Sequence, residues 1–176
     1  QIIDRYGADA LRFALASGNA PGNDMRFSDE KLEAARNFAN KLWNASRFVL
    51  MNLEEGDSAT LPDLSELAPE DRWILSRLSR TVKSVTANIE HFELGIALSE
   101  IYDFTWDLFC DWYIEMAKSR IFERGTKEAA TARRVLLYVL TAILKLLHPY
   151  MPFITEEIYQ ALPHDTPSIM ISSYPV

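Results

Sequence analysis

Residues 35–53, ARNFANKLWNASRFVLMNL, separate into two faces when wound at about 100° per residue. Leu32, Ala35, Phe38, Ala39, Leu42, Trp43, Val49, Leu50 and Leu53 fall on one arc, the expected core-facing stripe. Arg36, Asn37, Asn40, Lys41, Asn44 and Arg47 occupy the opposite arc, and no acid interrupts the run from Ala34 to Leu53. The stretch therefore predicts a long amphipathic helix of a bundle. One aromatic, Phe48, falls among the polar side chains instead of on the apolar arc. Cations for phosphates, amides for base edges and a ring for an unstacked base together suit RNA. The same pattern also fits a solvated helix face with one stray ring, because scattered surface aromatics are common.

Outward from this segment the chain reads as helical almost throughout. Upstream, a short helical piece ends near Tyr6, Gly7 breaks it, and Ala8 to Ser17 resumes. Residues 18–27, GNAPGNDMRF, form a turn-rich loop with an extended stretch expected at Asp24–Phe27. Ser28 is placed to cap the long helix, with Asp29 and Glu30 where the helix dipole favours acids. Downstream, residues 54–68, EEGDSATLPDLSELA, read as an acidic, solvated linker. Pro69 then starts a helix to about Glu90, with Leu75, Leu78, Val82, Val85 and Ile89 inward and Arg72, Arg77, Arg80 and Lys83 outward.

A turn at His91 and Phe92 leads into one continuous helix from Glu93 to about Phe122. Leu98, Tyr102, Trp106, Phe109 and Tyr113 form its core stripe, opposite Glu100, Asp103, Asp107 and Asp111, for which the basic helices nearby could supply partners. Ile114 falls beside that acidic face, out of register as Phe48 is. The helix ending near His148 is apolar nearly all round and should be the most buried. A short helix from Pro152 to Leu162 and a loop tail, extended at Ile169–Ser172, complete the chain. The sum is an all-α, antiparallel helix bundle with a small N-terminal helical and loop appendage, the bundle proper covering residues 28–176.

Composition narrows the function classes. With 176 residues the chain suits one domain, or one domain plus a piece of another. It opens within helical periodicity and without an initiator Met, which suggests a piece of a longer protein. A net charge of −7 argues against a nucleic-acid-coating protein, but charge is blocked along the chain, leaving room for a local basic surface. The single Cys110 precludes an internal disulfide and fits a reducing compartment. Its apolar neighbours suggest a buried, inert thiol. No apolar run is long enough to span a bilayer, and no signal peptide is visible. His91, His148 and His164 fall in or beside turns, and none follows a Glu by three, so no metal site is expected. There is no phosphate-cradling glycine loop and no zinc spacing. Nothing supports catalysis by this segment, and no catalytic, cofactor or metal residue is assigned.

The segments DRYGADALRFALASGNAPGNDMRFS (4–28), ARNFANKLWNASRFVLMNL (35–53), FCDWYIEMAK (109–118) and LLHPYMPFITEEIYQAL (146–162) resemble bacterial valyl-tRNA synthetases, of the class I aminoacyl-tRNA synthetases. The resemblance spans essentially the whole chain. The Tyr6–Arg12 run and the HPYMPF turn are shared with the isoleucine and leucine enzymes, whereas ARNFANKLWN followed by SRF is more valine-like. It implies a parent ligase that joins valine to its tRNA with ATP in the cytoplasm, its catalytic motifs lying outside this segment. Residues 1–27 would be the end of the catalytic core and 28–176 the anticodon-binding domain. No cofactor is then expected here, and the partners are the tRNA(Val) anticodon stem–loop and the parent's catalytic domain, the chain being monomeric.

The family's anticodon contacts carry over to Lys41, Arg47 and Phe48 on one helix and Ile114 on another. Joined by Asn44, they would let Phe48 and Ile114 sandwich unstacked bases while Lys41, Asn44 and Arg47 reach base edges and phosphates. A basic residue that relatives can carry near Glu30 is here only next door, at Lys31. Arg12 is expected to brace the junction to the catalytic domain or the inner side of the tRNA arm. The alternatives are the equivalent domain of an isoleucyl- or leucyl-tRNA synthetase, or a helical protein-interaction module using the acidic segments 54–71 and 100–111.

Overall fold

The computed structural model describes residues 2–18 and 28–176; the segment 19–27, with the extended stretch expected at Asp24–Phe27, lies outside them. The elements are α1 (Ile2–Tyr6), α2 (Ala8–Ala16), α3 (Asp29–Asn52), a short 3₁₀ turn (Leu64–Glu66), α4 (Pro69–Glu90), α5 (Leu94–Asp103), a π-helical segment (Phe104–Tyr113), α6 (Ile114–Ile121), α7 (Lys127–Leu147), α8 (Pro152–Ala161) and a second 3₁₀ turn (Ile169–Ile171). No strand occurs among the described residues, and Ile169–Ile171 forms a turn where an extended piece was expected. The Ser28 hydroxyl accepts the Lys31 N–H at 3.4 Å, capping α3.

α7 is the central rod. Val135, Leu137, Val139, Leu140, Ile143, Leu144, Leu146 and Leu147 are all fully buried, and Arg134, Tyr138, Thr141, Lys145 and His148 form a half-exposed strip. Around it α3 contributes Leu32, Phe38, Leu42 and Val49, and α4 contributes Ile74, Leu78, Val82 and Val85. Trp43 departs from the expected arc: it sits at the stripe's edge, 42% exposed. Ser46 is buried instead, its hydroxyl satisfied by the Leu42 carbonyl at 2.8 Å.

The helix expected to run unbroken from Glu93 to Phe122 changes pitch. From Phe104 to Tyr113 it is π-helical, and the Ile114 N–H bonds the Phe109 carbonyl five residues back. Thr105 donates to the Ile101 carbonyl at 2.7 Å where the pitch changes. Each wider turn consumes an extra residue, so the chain falls behind the 100° advance that α periodicity assumes. That lag accounts for Ile114: it is 6% exposed and part of the core, not beside the acidic face.

The acidic linker is fastened, not free. Arg133, buried on α7, reaches Asp57 at 2.7 Å and Glu54 at 2.9 Å. Arg134 donates to the carbonyls of Thr60 and Leu61, and Lys127 pairs with Glu66 at 2.6 Å. Leu67 is buried at the linker's end.

The two family-like motifs at opposite ends of the chain interlock. Asp9 accepts the N–H groups of Phe153 and Ile154 at 3.3 and 2.7 Å, serving the first turn of α8. Arg12 donates to the Tyr150 and Pro149 carbonyls at 3.1 and 2.9 Å just beyond α7. The positive φ of Gly7, 91°, lets the chain turn sharply between α1 and α2 before this clamp. Arg12 thus braces the α7–α8 corner of the bundle itself.

Candidate nucleic-acid interface

The outward face of α3 follows directly from its sequence. Its apolar stripe faces α7, leaving Arg36, Asn37, Asn40, Asn44 and Arg47 exposed. Lys41 and Phe48 lie half-buried on the flank that meets the π-helical segment and α6. Lys41 Nζ sits 2.5 Å from Asp111 Oδ1 and 3.9 Å from the centre of the Trp106 ring. Its charge is therefore neutralised within the protein, and a phosphate would have to compete with Asp111 for it. Phe48 packs its inner edge on the core, and Lys118 Nζ lies 5.7 Å from its ring centre, near the outer limit for a cation–π contact. The Asn52 amide donates to the Phe48 carbonyl at 2.7 Å.

Of the five side chains named from sequence, Asn44 and Arg47 are freely presented, Lys41 and Phe48 form the flank, and Ile114 is withdrawn. Ile114 is no outer jaw. One turn further along, Lys118 is the group that reaches Phe48, so the pair across the helix boundary is an aromatic and a cation, the latter also paired with Glu115 at 2.6 Å. Sequence periodicity missed Lys118 because the π-helical pitch rotates α6 relative to α5. Nothing in a reading at 100° per residue could have supplied that rotation.

Several of the other acids are held within the protein, whereas Asp103 and Asp107 are exposed. Glu100 accepts from Ser84 at 2.9 Å and Asn88 at 3.3 Å, and Asp111 is held by Lys41. Asp103 has its carboxyl pushed above the usual range by burial and by its neighbours Asp107 and Glu100. Asp71 is completely buried and receives Arg120 through two bonds at 2.6 and 2.8 Å, the Tyr113 hydroxyl at 2.6 Å and the Ala68 N–H at 3.0 Å. Burial beside that carboxylate pushes the Tyr113 hydroxyl well above its ordinary range. Glu54, Asp57 and Glu66 are also paired, while Glu55, Asp63, Asp103 and Asp107 stay exposed.

Cys110 is buried, and burial raises its thiol to about 12, so it is no nucleophile at neutral pH. Among the described residues no group of three or more His, Cys, Asp or Glu is disposed to hold a metal ion, and no helix is long and apolar enough to cross a membrane.

Comparison with known proteins places this geometry. Residues 71–176 match the family described as the anticodon-binding domain of tRNA ligase. The chain is 58% identical over 174 residues to a valine–tRNA ligase of Clostridium acetobutylicum and 53% identical over 175 residues to that of Clostridium tetani. Each match covers 99% of this chain and 20% of the relative, so the chain spans about a fifth of the length of these proteins. Among solved structures it superposes on a LeuRS–tRNA–LeuAMS ternary complex from Agrobacterium radiobacter K84 with a TM-score of 0.77 at 22% identity, covering 99% of this chain and 20% of that one. The free-state methionyl-tRNA synthetase of Mycobacterium tuberculosis gives 0.70 at 20% identity, covering 89% of this chain and 33% of that one. At those identities the structural likeness speaks for the fold.

Proposed function

Because the chain belongs to the anticodon-binding domain family of tRNA ligases, we propose that it grips the anticodon arm of tRNA(Val) on behalf of a valine–tRNA ligase. The parent enzyme would attach valine using ATP, bound outside this segment, in the cytoplasm. Residues 1–27 would be the end of its catalytic core, joined to the bundle through the Asp9 and Arg12 clamp, and the isolated chain would be monomeric. The observation that carries the reading is the outward face of α3. It presents Asn44 and Arg47 to solvent beside the half-buried ring of Phe48, with Lys118 across the flank.

The mechanism is recognition without chemistry. Unstacked anticodon bases lie against Phe48, amides such as Asn44 meet base edges, and Arg47 neutralises a phosphate. Lys41 and Lys118 join when phosphate displaces Asp111 and Glu115, their partners within the protein. A valine anticodon stem–loop titrated at low salt tests this. Arg47→Gln should weaken binding and lower the slope of log affinity against log salt by about 0.7, the loss of one single-strand phosphate contact. An unchanged slope would show that Arg47 meets no phosphate. Retention of a protein ligand with no response to RNA would favour the interaction-module reading instead.

A further inference from the structure

We propose that Trp43 is a second stacking platform for an unpaired RNA base, set in a row of α3 side chains parallel to the one that ends in Phe48. The proposal rests on the reading of α3 as the RNA face and extends it. Asn37, Lys41, Asn44 and Phe48 recur at i, i+4, i+7 and i+11, which places them in one line along the helix. Arg36, Asn40, Trp43 and Arg47 repeat that spacing one residue earlier. Each line holds an aromatic, at least one amide and at least one cation. At 1.5 Å of rise per residue each spans roughly 16 Å.

The two rows differ in how much the protein already uses them. In the first, Lys41 is paired with Asp111 and Phe48 is half-buried. In the second, all four side chains are exposed, and the only ring contact made by either arginine is Arg36 at 5.7 Å from the centre of Tyr6, among the described residues. Trp43 makes no ring contact with another described aromatic. An indole left 42% exposed on a helix whose Leu32 and Leu42 are fully buried forfeits part of the stabilisation its area could provide. Flanked by Asn40 and Arg47, one turn away on either side, it has the surroundings that an aromatic needs to hold a nucleotide: a π face for the base, an amide for its edge and a guanidinium for its phosphate.

There is room at the head of its row. Between the turn from α1 to α2, α3 and the start of α8 a cleft of about 390 Å³ is lined by Arg36, Asn40 and Phe153, among others. Phe153 is itself 67% exposed. The second row therefore runs from this cleft past Trp43 to Arg47, beside the first along its length.

The ligand class is a single-stranded nucleotide next to those held by Phe48. The test uses this chain and the valine anticodon stem–loop at low salt, comparing Trp43→Ala, Trp43→Phe, Phe48→Ala, Arg47→Gln and, as a control on another surface, Trp112→Ala. Trp112 is 60% exposed, beside Asp111 and Glu115. Trp43→Ala should weaken binding roughly five- to a hundredfold, the loss of one base–aromatic stack. Trp43→Phe should recover most of it, the salt slope should stay as in the unmodified chain, and Trp112→Ala should change nothing. Thermal unfolding of each variant separates loss of fold from loss of contact. If Trp43→Ala binds as well as the unmodified chain while Arg47→Gln and Phe48→Ala lose affinity, Trp43 is a bystander and the inference falls alone. If the unmodified chain ignores the RNA, or neither Arg47→Gln nor Phe48→Ala matters, the reading of α3 falls and takes the inference with it.

Discussion

Arg120 and Arg47 lie on neighbouring helices and have opposite fates. Arg120 spends its guanidinium inward, on buried Asp71 and on Glu70 at 3.0 Å. Arg47 stands in solvent on α3, with no carboxylate of the described residues in ion-pair reach. Arg133 and Arg12 follow the first pattern, one fastening the acidic linker and the other the corner after α7. A count of basic residues therefore says little about binding here. What matters is which cations the fold has already neutralised; Arg47 on α3 is one that it has not, as are Arg77, Arg80 and Lys83 on α4.

The largest effect should come from breaking the inward pattern. Asp71→Ala leaves the buried Tyr113 hydroxyl and the Ala68 N–H without their acceptor and Arg120 with Glu70 alone, and removing one partner of a buried pair costs about 3–5 kcal/mol. Chemical denaturation should show that loss as a lower midpoint. RNA affinity measured where the variant is still folded should be unchanged, because nothing in the node faces α3's outer surface. A loss of affinity without a loss of stability would mean that the two regions are coupled.

Next comes Phe48→Ala, which should show the reverse. Stacking on an aromatic is worth roughly 1–3 kcal/mol per base, so affinity for the anticodon stem–loop should fall by about that much. Stability should fall less than for a fully buried Phe, since only the inner edge of the ring is packed. Isothermal titration with parallel thermal melts distinguishes the outcomes, and a variant that melts early yet binds normally would make Phe48 a core residue only.

How much of this contrast could be read from residues alone depends on pitch. The stripe of α3, the cap at Ser28, the boundaries of α4 and the nearly all-round burial of α7 were legible because each is a local property of regular α-helix. Asn44, Arg47 and Phe48 were legible for the same reason. Ile114 was not, because its displacement from the apolar arc came from ten π-helical residues before it, not from a binding role. Trp43 was misassigned to the core because a stripe edge at 100° per residue is ambiguous by about one side chain. The linker's attachment to Arg133 and the Asp9–Arg12 clamp join residues 76 to 145 positions apart, which no periodicity records. The resemblance had flagged both clamp partners as shared motifs without saying that they touch.

A smaller effect is expected at the α4–α5 turn, where an exposed aromatic lies among acids and not cations. Phe92 holds φ at 61° and is 86% exposed, between His91 and Glu93. It occupies the left-handed position after a helix end that glycine usually fills, and its ring gains almost nothing from burial. Phe92→Gly should raise stability by roughly 1 kcal/mol and leave RNA affinity untouched. A drop in affinity would show that exposed rings on this bundle bind RNA regardless of their charged surroundings, which would remove the distinction drawn for Phe48.

The smallest expected effect is a pH dependence at the clamped corner. Burial lowers the His148 pKa below its ordinary 6.5, against the weaker opposing pull of Glu156 and Asp9 and with the help of Arg12. Its Nδ1 lies 2.8 Å from the Thr155 hydroxyl. The folded state therefore binds a proton less readily than the unfolded chain. The stability this contributes is fully present above 6.5 and is lost as pH falls through the lower folded value. Denaturation midpoints taken from pH 7.5 downward should decline over that window, and His148→Gln should flatten the decline. If the variant follows the same curve as the unmodified chain, the pH dependence belongs to carboxylates elsewhere, and the corner is held by Asp9 and Arg12 without help from the imidazole.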